Sequence, residues 1–191
     1  MKGTLNVPSM SWSGTFEIRE KAPNRSLEIL TVNGAAFRQG FDGTLGWTDD
    51  PQYGLRDQTG AELAETRRES DFYHTIDMRK LYSKFTFVGK DTVNDHDVYV
   101  IEAAVPEGGP PERMYFDVQS GLLLRDISLR HGPGEPSQYE QDYQDYRDVD
   151  GIKLPHTIRH TSEGTLVIIT VEEYHHNVPI DDAEFAKPAA E

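Results

Sequence analysis

Seven histidines and 33 acidic residues are the side chains of this 191-residue chain with the widest chemical reach. The pairs His156/His160 and His175/His176 have spacings that suggest a metal. On a strand, however, residues i and i+4 lie about 13 Å apart, too far to share one ion. Adjacent His175 and His176 point to opposite faces of a strand. The chain has no Cys and no H-E-x-x-H pattern to complete a ligand set, so these histidines read as solvated or edge residues. No metal and no cofactor is expected. The run Asp145, Asp148, Asp150, Gly151 has the look of a calcium loop. Aligning Gly151 with that loop's obligatory glycine puts Tyr146 and Thr157 at the first and last ligand positions, where carboxylates are required. Asp150-Gly151 is therefore a turn.

Nucleophile chemistry finds no scaffold either. No serine sits in G-x-S-x-G, and neither a phosphate-binding G-x-x-x-x-G-K-[ST] loop nor a G-x-G-x-x-G fingerprint occurs. A glycosidase needs two carboxylates roughly 5–9.5 Å apart, and among so many acids no pair is nominated. No catalytic residue is assigned, and a hydrolase with carboxylates at a sheet mouth stands only as a second alternative.

Composition narrows the partners. Lys and Arg total 19 against 33 Asp and Glu, a formal net charge of −14, which repels nucleic-acid phosphates and anionic lipid headgroups alike. Hydrophobic residues make up 36% of the chain, enough for one core, though a shallow or open one. The length fits a single domain spanning residues 1–191, with residues 177–191 as a proline-containing tail. No apolar run approaches the ~20 residues that span a bilayer, and the N-terminus has no signal-peptide h-region.

The elements that must position any site alternate with period two. Strands are predicted at residues 11–20, 26–32, 36–41 and 44–48, joined by the turns at Ala22-Pro23-Asn24, Asn33-Gly34 and Asp42-Gly43. Thr59 and Glu62 form a capping box opening a helix to about Glu69, and a second short helix covers Met78 to Tyr82. Further strands follow at 85–88, 98–103, 113–118, 122–129, 157–161 and 165–173. Tyr139, Tyr143 and Tyr146 have helical spacing, but tyrosines suit a half-buried sheet face, and a strand with a bulge is expected there. Nine aromatics, Trp12, Phe16, Phe37, Phe41, Trp47, Phe85, Phe87, Tyr115 and Phe116, spread over successive strands. An ordinary core explains most of them. Two short helices do not cover a whole sheet face, so uncovered apolar surface would form a ligand groove.

Lys21-Ala22-Pro23 before a strand, and Phe41-Asp42-Gly43-Thr44-Leu45-Gly46-Trp47 after one, resemble the bacterial outer-membrane lipoprotein carrier family, the LolA/LolB-like superfamily. Tyr115-Phe116-Asp117 with Gly121-Leu122, and Val149-Asp150-Gly151-Ile152-Lys153-Leu154-Pro155, are similar to its later hairpins. The resemblance implies a mainly β fold, a single antiparallel curved sheet forming an open half-barrel with a helical lid. It also implies a periplasmic or cell-envelope location and an apolar cavity for acyl chains or hydrophobic protein segments. Ala22 stands where that family has an arginine holding the lid, and the family's N-terminal helix has no counterpart. A relative with its own ligand, or a domain cut from a longer exported protein, fits these departures.

The resulting expectation is a non-enzymatic binder of a lipid-like or other apolar ligand. Phe16, Ile18, Leu27, Ile29, Phe37, Trp47, Phe85 and Phe116 would line the pocket, under a lid from Thr59 to Tyr82. The alternative is a protein-interaction or sensing domain holding a partner peptide from the envelope, with a preference for basic partners. No nucleic acid and no transmembrane segment enter either reading.

Overall fold

A computed structural model describes residues 1–189. Its described residues form thirteen strands and one α-helix, with strand order β6-β5-β4-β3-β2-β1-β13-β12-β11-β10-β9-β8-β7. Every pairing with a resolved register is antiparallel, and the order has two edges, β6 and β7, so the sheet is not closed into a barrel. The chain divides into two compact units, Met1–Asp77 with the segment from Thr170 on, and Met78–Ile169.

The first unit holds β1 (Lys2–Val7), β2 (Trp12–Lys21), β3 (Arg25–Val32), β4 (Ala35–Phe41), β5 (Gly46–Asp50), β6 (Gly54–Asp57) and α1 (Gly60–Glu69). Asn33 and Gly34 adopt φ of 50° and 82°, the left-handed pair a two-residue hairpin turn requires, so Val32 pairs with Ala35 as the Asn-Gly signal predicts. Because residues opposed across antiparallel strands project to one side, the register sorts this unit into two faces. Phe16, Ile18, Leu30, Phe37 and Phe41 share one face with Ser26, Gln39 and Arg56. Those three polar residues hold α1 on that side: Ser26 to Ser70 at 2.6 Å, Gln39 to Thr66 at 3.4 Å, and Arg56 to Glu62 through two bonds of 2.7 and 2.6 Å.

The opposite face carries Leu27, Ile29, Trp47 and Leu55, which pack with Ile180 and Phe185 of the tail. Trp47 is 2% exposed and donates its indole N–H to the Phe185 carbonyl at 2.9 Å. Gly40 lies opposite it, and a Cβ there would fall onto the indole ring, so glycine makes room for the tryptophan. The tail is tied down by Lys21 on the Ile180 carbonyl and Asp182, both at 2.7 Å, by Lys187 on Asp57 at 2.7 Å, and by an Arg19–Glu184 ion pair.

The second unit contains a short 3₁₀ turn at Met78–Lys80, where a helix to Tyr82 was expected. It continues with β7 (Lys84–Val93), β8 (His96–Ala104), β9 (Glu112–Asp117), β10 (Leu123–Arg130), β11 (Ser137–Val149) and β12 (Ile152–Ser162). The strand β13 (Thr165–Glu173) begins here and ends in the first unit. Val93, Val98, Val100 and Tyr115 form a buried cluster on one face, with Leu124 and Ile127 against it. The tyrosine-rich segment is a strand, as expected. Its register against β12 stays constant, so no residue is inserted; Asp145 instead takes φ 53°. The register shifts lie elsewhere, between Phe87 and Gly89 and between Leu123 and Arg125.

Candidate functional site

Across the second unit the register assembles one continuous row. Phe87 opposes Ile101, then Met114, Asp126, Gln141 and His160 follow on successive strands. All six project to one side, so this face changes from apolar on β7–β9 to polar on β10–β12. Phe85, Tyr99 and Phe116 share the apolar half, and Ser128, Tyr139 and Tyr143 share the polar half. Met114 is buried, but toward the sheet edge Phe85, Tyr99 and Phe87 are 37%, 39% and 60% exposed. Phe87 meets Tyr99 edge to face with centroids 6.0 Å apart, and Tyr82 meets Phe85 at 5.6 Å.

In the polar half, Asp126 Oδ1, Ser128 Oγ and His160 Nδ1 are shut off from solvent with no hydrogen-bond partner in the protein. Buried polar atoms are rarely left this way, because each forfeits its hydration without replacement. The Tyr143 hydroxyl donates to Gln141 Oε1 at 3.1 Å and also bonds the Asp126 carboxyl. Tyr139 stacks on His160 with centroids 4.7 Å apart, and the Arg130 guanidinium lies 4.9 Å from the Tyr139 centroid. Burial pushes the Asp126 carboxyl up to about 7, opposed by the Tyr143 hydrogen bond and reinforced by Glu112 and Asp142. Burial, with the Arg130 charge adding to it, pushes His160 down to about 4. At neutral pH the imidazole is therefore uncharged, and burial favours the protonated form of Asp126. The cluster can exchange hydrogen bonds with a bound group, but no hydroxyl or thiol nucleophile is paired to a base within it.

The eight residues expected to line a pocket occupy several surfaces. Phe85 and Phe116 lie in the apolar half just described. Phe16, Ile18 and Phe37 share the α1 side of the first unit, where Phe16 is 3% exposed. Leu27, Ile29 and Trp47 are on the opposite face, beneath Phe185 and Ile180. Within the first unit, β3 and β4 separate the two groups, since Phe37 opposes Leu30 whereas Ile29 opposes Arg38 on the other side. Asp126 and Ser128 were missed because a single Asp or Ser within a strand carries no motif. His156 and His160, read as solvated or edge residues, are instead drawn into the sheet face, His156 at 8% exposure and His160 with its Nδ1 shut off from solvent. The signal that finds Asp126, Ser128 and His160 is spatial, three unsatisfied atoms on one face.

A cavity of about 310 Å³ in the second unit is lined by Asn94, His96, Asp117, Ser120, Leu122 and Leu124 together with β11 residues 143–146. His96, Asp117 and Ser120 here have the residue types of a hydrolytic triad but not its wiring. Ser120 donates its hydroxyl to Asp117 Oδ2 at 2.5 Å, and His96 meets Asp117 Oδ1 at 3.4 Å. A serine bonded to the carboxylate rather than the imidazole lacks the histidine base of such a triad. Asp117 instead organises the β9–β10 turn, accepting from both the Ser120 backbone and side chain, which holds its carboxyl below the usual range. Among the described residues, no group of three or more His, Asp or Glu could hold a metal ion. No described helix is long and apolar enough to cross a membrane.

An open antiparallel sheet of this order, one helix on one side of its first half, defines the class of fold. Solved structures share it over 97% of this chain. A DUF1329 family protein from Desulfovibrio piger matches with a TM-score of 0.60 at 15% identity, covering 87% of that chain. A domain described as an outer membrane lipoprotein-sorting protein from Vibrio parahaemolyticus matches at 0.58 and 12%, also over 87% of its chain. A LolA superfamily protein from Nitrosomonas europaea matches at 0.56 and 13%, over 89%. The chain thus has the fold of DUF1329 and LolA superfamily proteins. No family model matches the sequence. No curated protein matches it either.

Proposed function

We propose that this protein is a non-enzymatic binder of a lipid-like or other apolar ligand, working in the cell envelope. The observation that carries the reading is the apolar half of the second unit's sheet face. Phe85, Phe87 and Tyr99 stay substantially exposed there beside Ile101, Met114 and Phe116. Aromatic side chains left in water on one contiguous strip cost hydration free energy that an acyl chain would recover, at about 0.8 kcal/mol per buried CH₂. The fold adds support, since one protein sharing it is described as sorting outer membrane lipoproteins. Half-barrel curvature of the sheet, and closure by the segment from Thr59 to Tyr82, belong to this reading.

Titration with a fluorescent acyl-chain probe tests it. The wild-type protein is expected to bind saturably, and Phe87→Asp to weaken binding by about tenfold, since a charge would replace exposed aromatic surface and require no core rearrangement. Absence of saturable binding, or binding indifferent to Phe87→Asp, Ile101→Asp and Phe116→Asp alike, counts against the proposal.

A further inference from the structure

Three buried polar atoms without partners occur together on one face of the second unit: Asp126 Oδ1, Ser128 Oγ and His160 Nδ1. Asp126 and Ser128 are two residues apart on β10, about 7 Å along the strand, and His160 is two strands away across Gln141, about 10 Å. None of the three atoms meets solvent, so a group bound among them enters only as the covering side chains part. The apolar half of the same face begins at Met114, directly opposite Asp126. A grease-lined strip thus ends at a cluster of unmet hydrogen bonds.

We infer that Asp126, Ser128 and His160 form a head-group site, taking the uncharged, hydroxyl-bearing end of an amphiphile whose chain lies along Met114, Ile101 and Phe87. This rests on the proposed apolar-ligand function and specifies its ligand class. Charge decides between head groups. A phosphate or carboxylate would approach Asp126 and Glu112 on the same face, while the Arg130 guanidinium is engaged over the Tyr139 ring. An ammonium would need Asp126 ionised, which its burial opposes, and would lie near Arg130. A hydroxyl has neither cost. It donates to the Asp126 oxygen or the neutral imidazole nitrogen and accepts from Ser128, and two neighbouring hydroxyls would satisfy all three atoms.

The test compares monooleoylglycerol, oleic acid and oleylamine, three heads on one chain, by isothermal titration calorimetry at neutral pH. Wild-type protein is expected to bind monooleoylglycerol about tenfold or more tighter than the other two. The variant Ser128→Ala/His160→Phe is expected to bind all three alike while retaining its chain affinity. Equal affinities for the three heads in the wild type overturn the inference, because ordered water would then be what satisfies these atoms; so does preference for the acid or the amine. Should none of the three bind, the apolar-ligand function itself fails. The wild-type ranking decides the matter even if the double variant does not fold.

Discussion

Asp126 and His160 flank Gln141 in one row, and burial moves both in the direction that favours their neutral forms. Their effects on stability have opposite signs. Asp126 keeps its proton up to about pH 7 when folded, whereas the unfolded carboxyl loses it near 4, so its contribution falls as pH rises between those values. His160 stays neutral down to about pH 4 when folded, whereas the unfolded imidazole takes a proton below about 6.5, so its contribution rises over that range. The two offset each other from about pH 4 to 6.5, and above that Asp126 alone acts. Asp126→Asn is therefore expected to gain on the wild type as pH rises, by at most about 4 kcal/mol between pH 4 and 8. Urea unfolding across that range reads it, and a difference that does not change with pH would contradict the burial of this carboxyl. His160→Gln should do the reverse and lose its disadvantage as the pH drops toward 4. Glu112, Asp142, Tyr143 and Arg130 are the other charged or titratable groups acting on the pair, so the same scan on Glu112→Gln separates their share.

At the scale of elements, the tail is the part that behaves least as its composition suggests. Phe185 is fully buried against Trp47 and Leu27, in a segment whose prolines and acids read as a loose end. Truncating it to alanine empties a filled site, and Phe185→Ala is expected to cost about 3–5 kcal/mol in chemical denaturation. Gly40→Ala should also destabilise, because its methyl displaces the Trp47 ring. A loss below about 1 kcal/mol in both would show that the tail is not part of the core. The turns and the helix were legible in sequence: Asn33-Gly34 and Asp150-Gly151 both close two-residue hairpins, and α1 starts one residue after Thr59. The capping box itself does not form, since Thr59 makes no side-chain cap bond and Glu62 pairs with Arg56 instead. The strand Gly54–Asp57 escaped notice because four residues with one apolar side chain carry no alternation. Facing was the harder problem. In Leu27-Glu28-Ile29-Leu30-Thr31-Val32 both parities are apolar, so alternation cannot say which set meets the tail and which meets the α1 side.

For the whole molecule, a net charge of −14 disfavours docking on anionic surfaces, while exposed aromatics on one sheet face favour an apolar guest. An uncharged amphiphile reconciles the two, because it brings chain without adding negative charge. The fold is shared with a LolA superfamily protein at 13% identity, a likeness of architecture that leaves the guest to be found by experiment. The most direct check is native mass spectrometry of protein purified without detergent, before and after organic delipidation. The account predicts a discrete adduct of lipid mass that delipidation removes and monooleoylglycerol restores one to one. A bare chain that acquires no adduct from any amphiphile offered would contradict it.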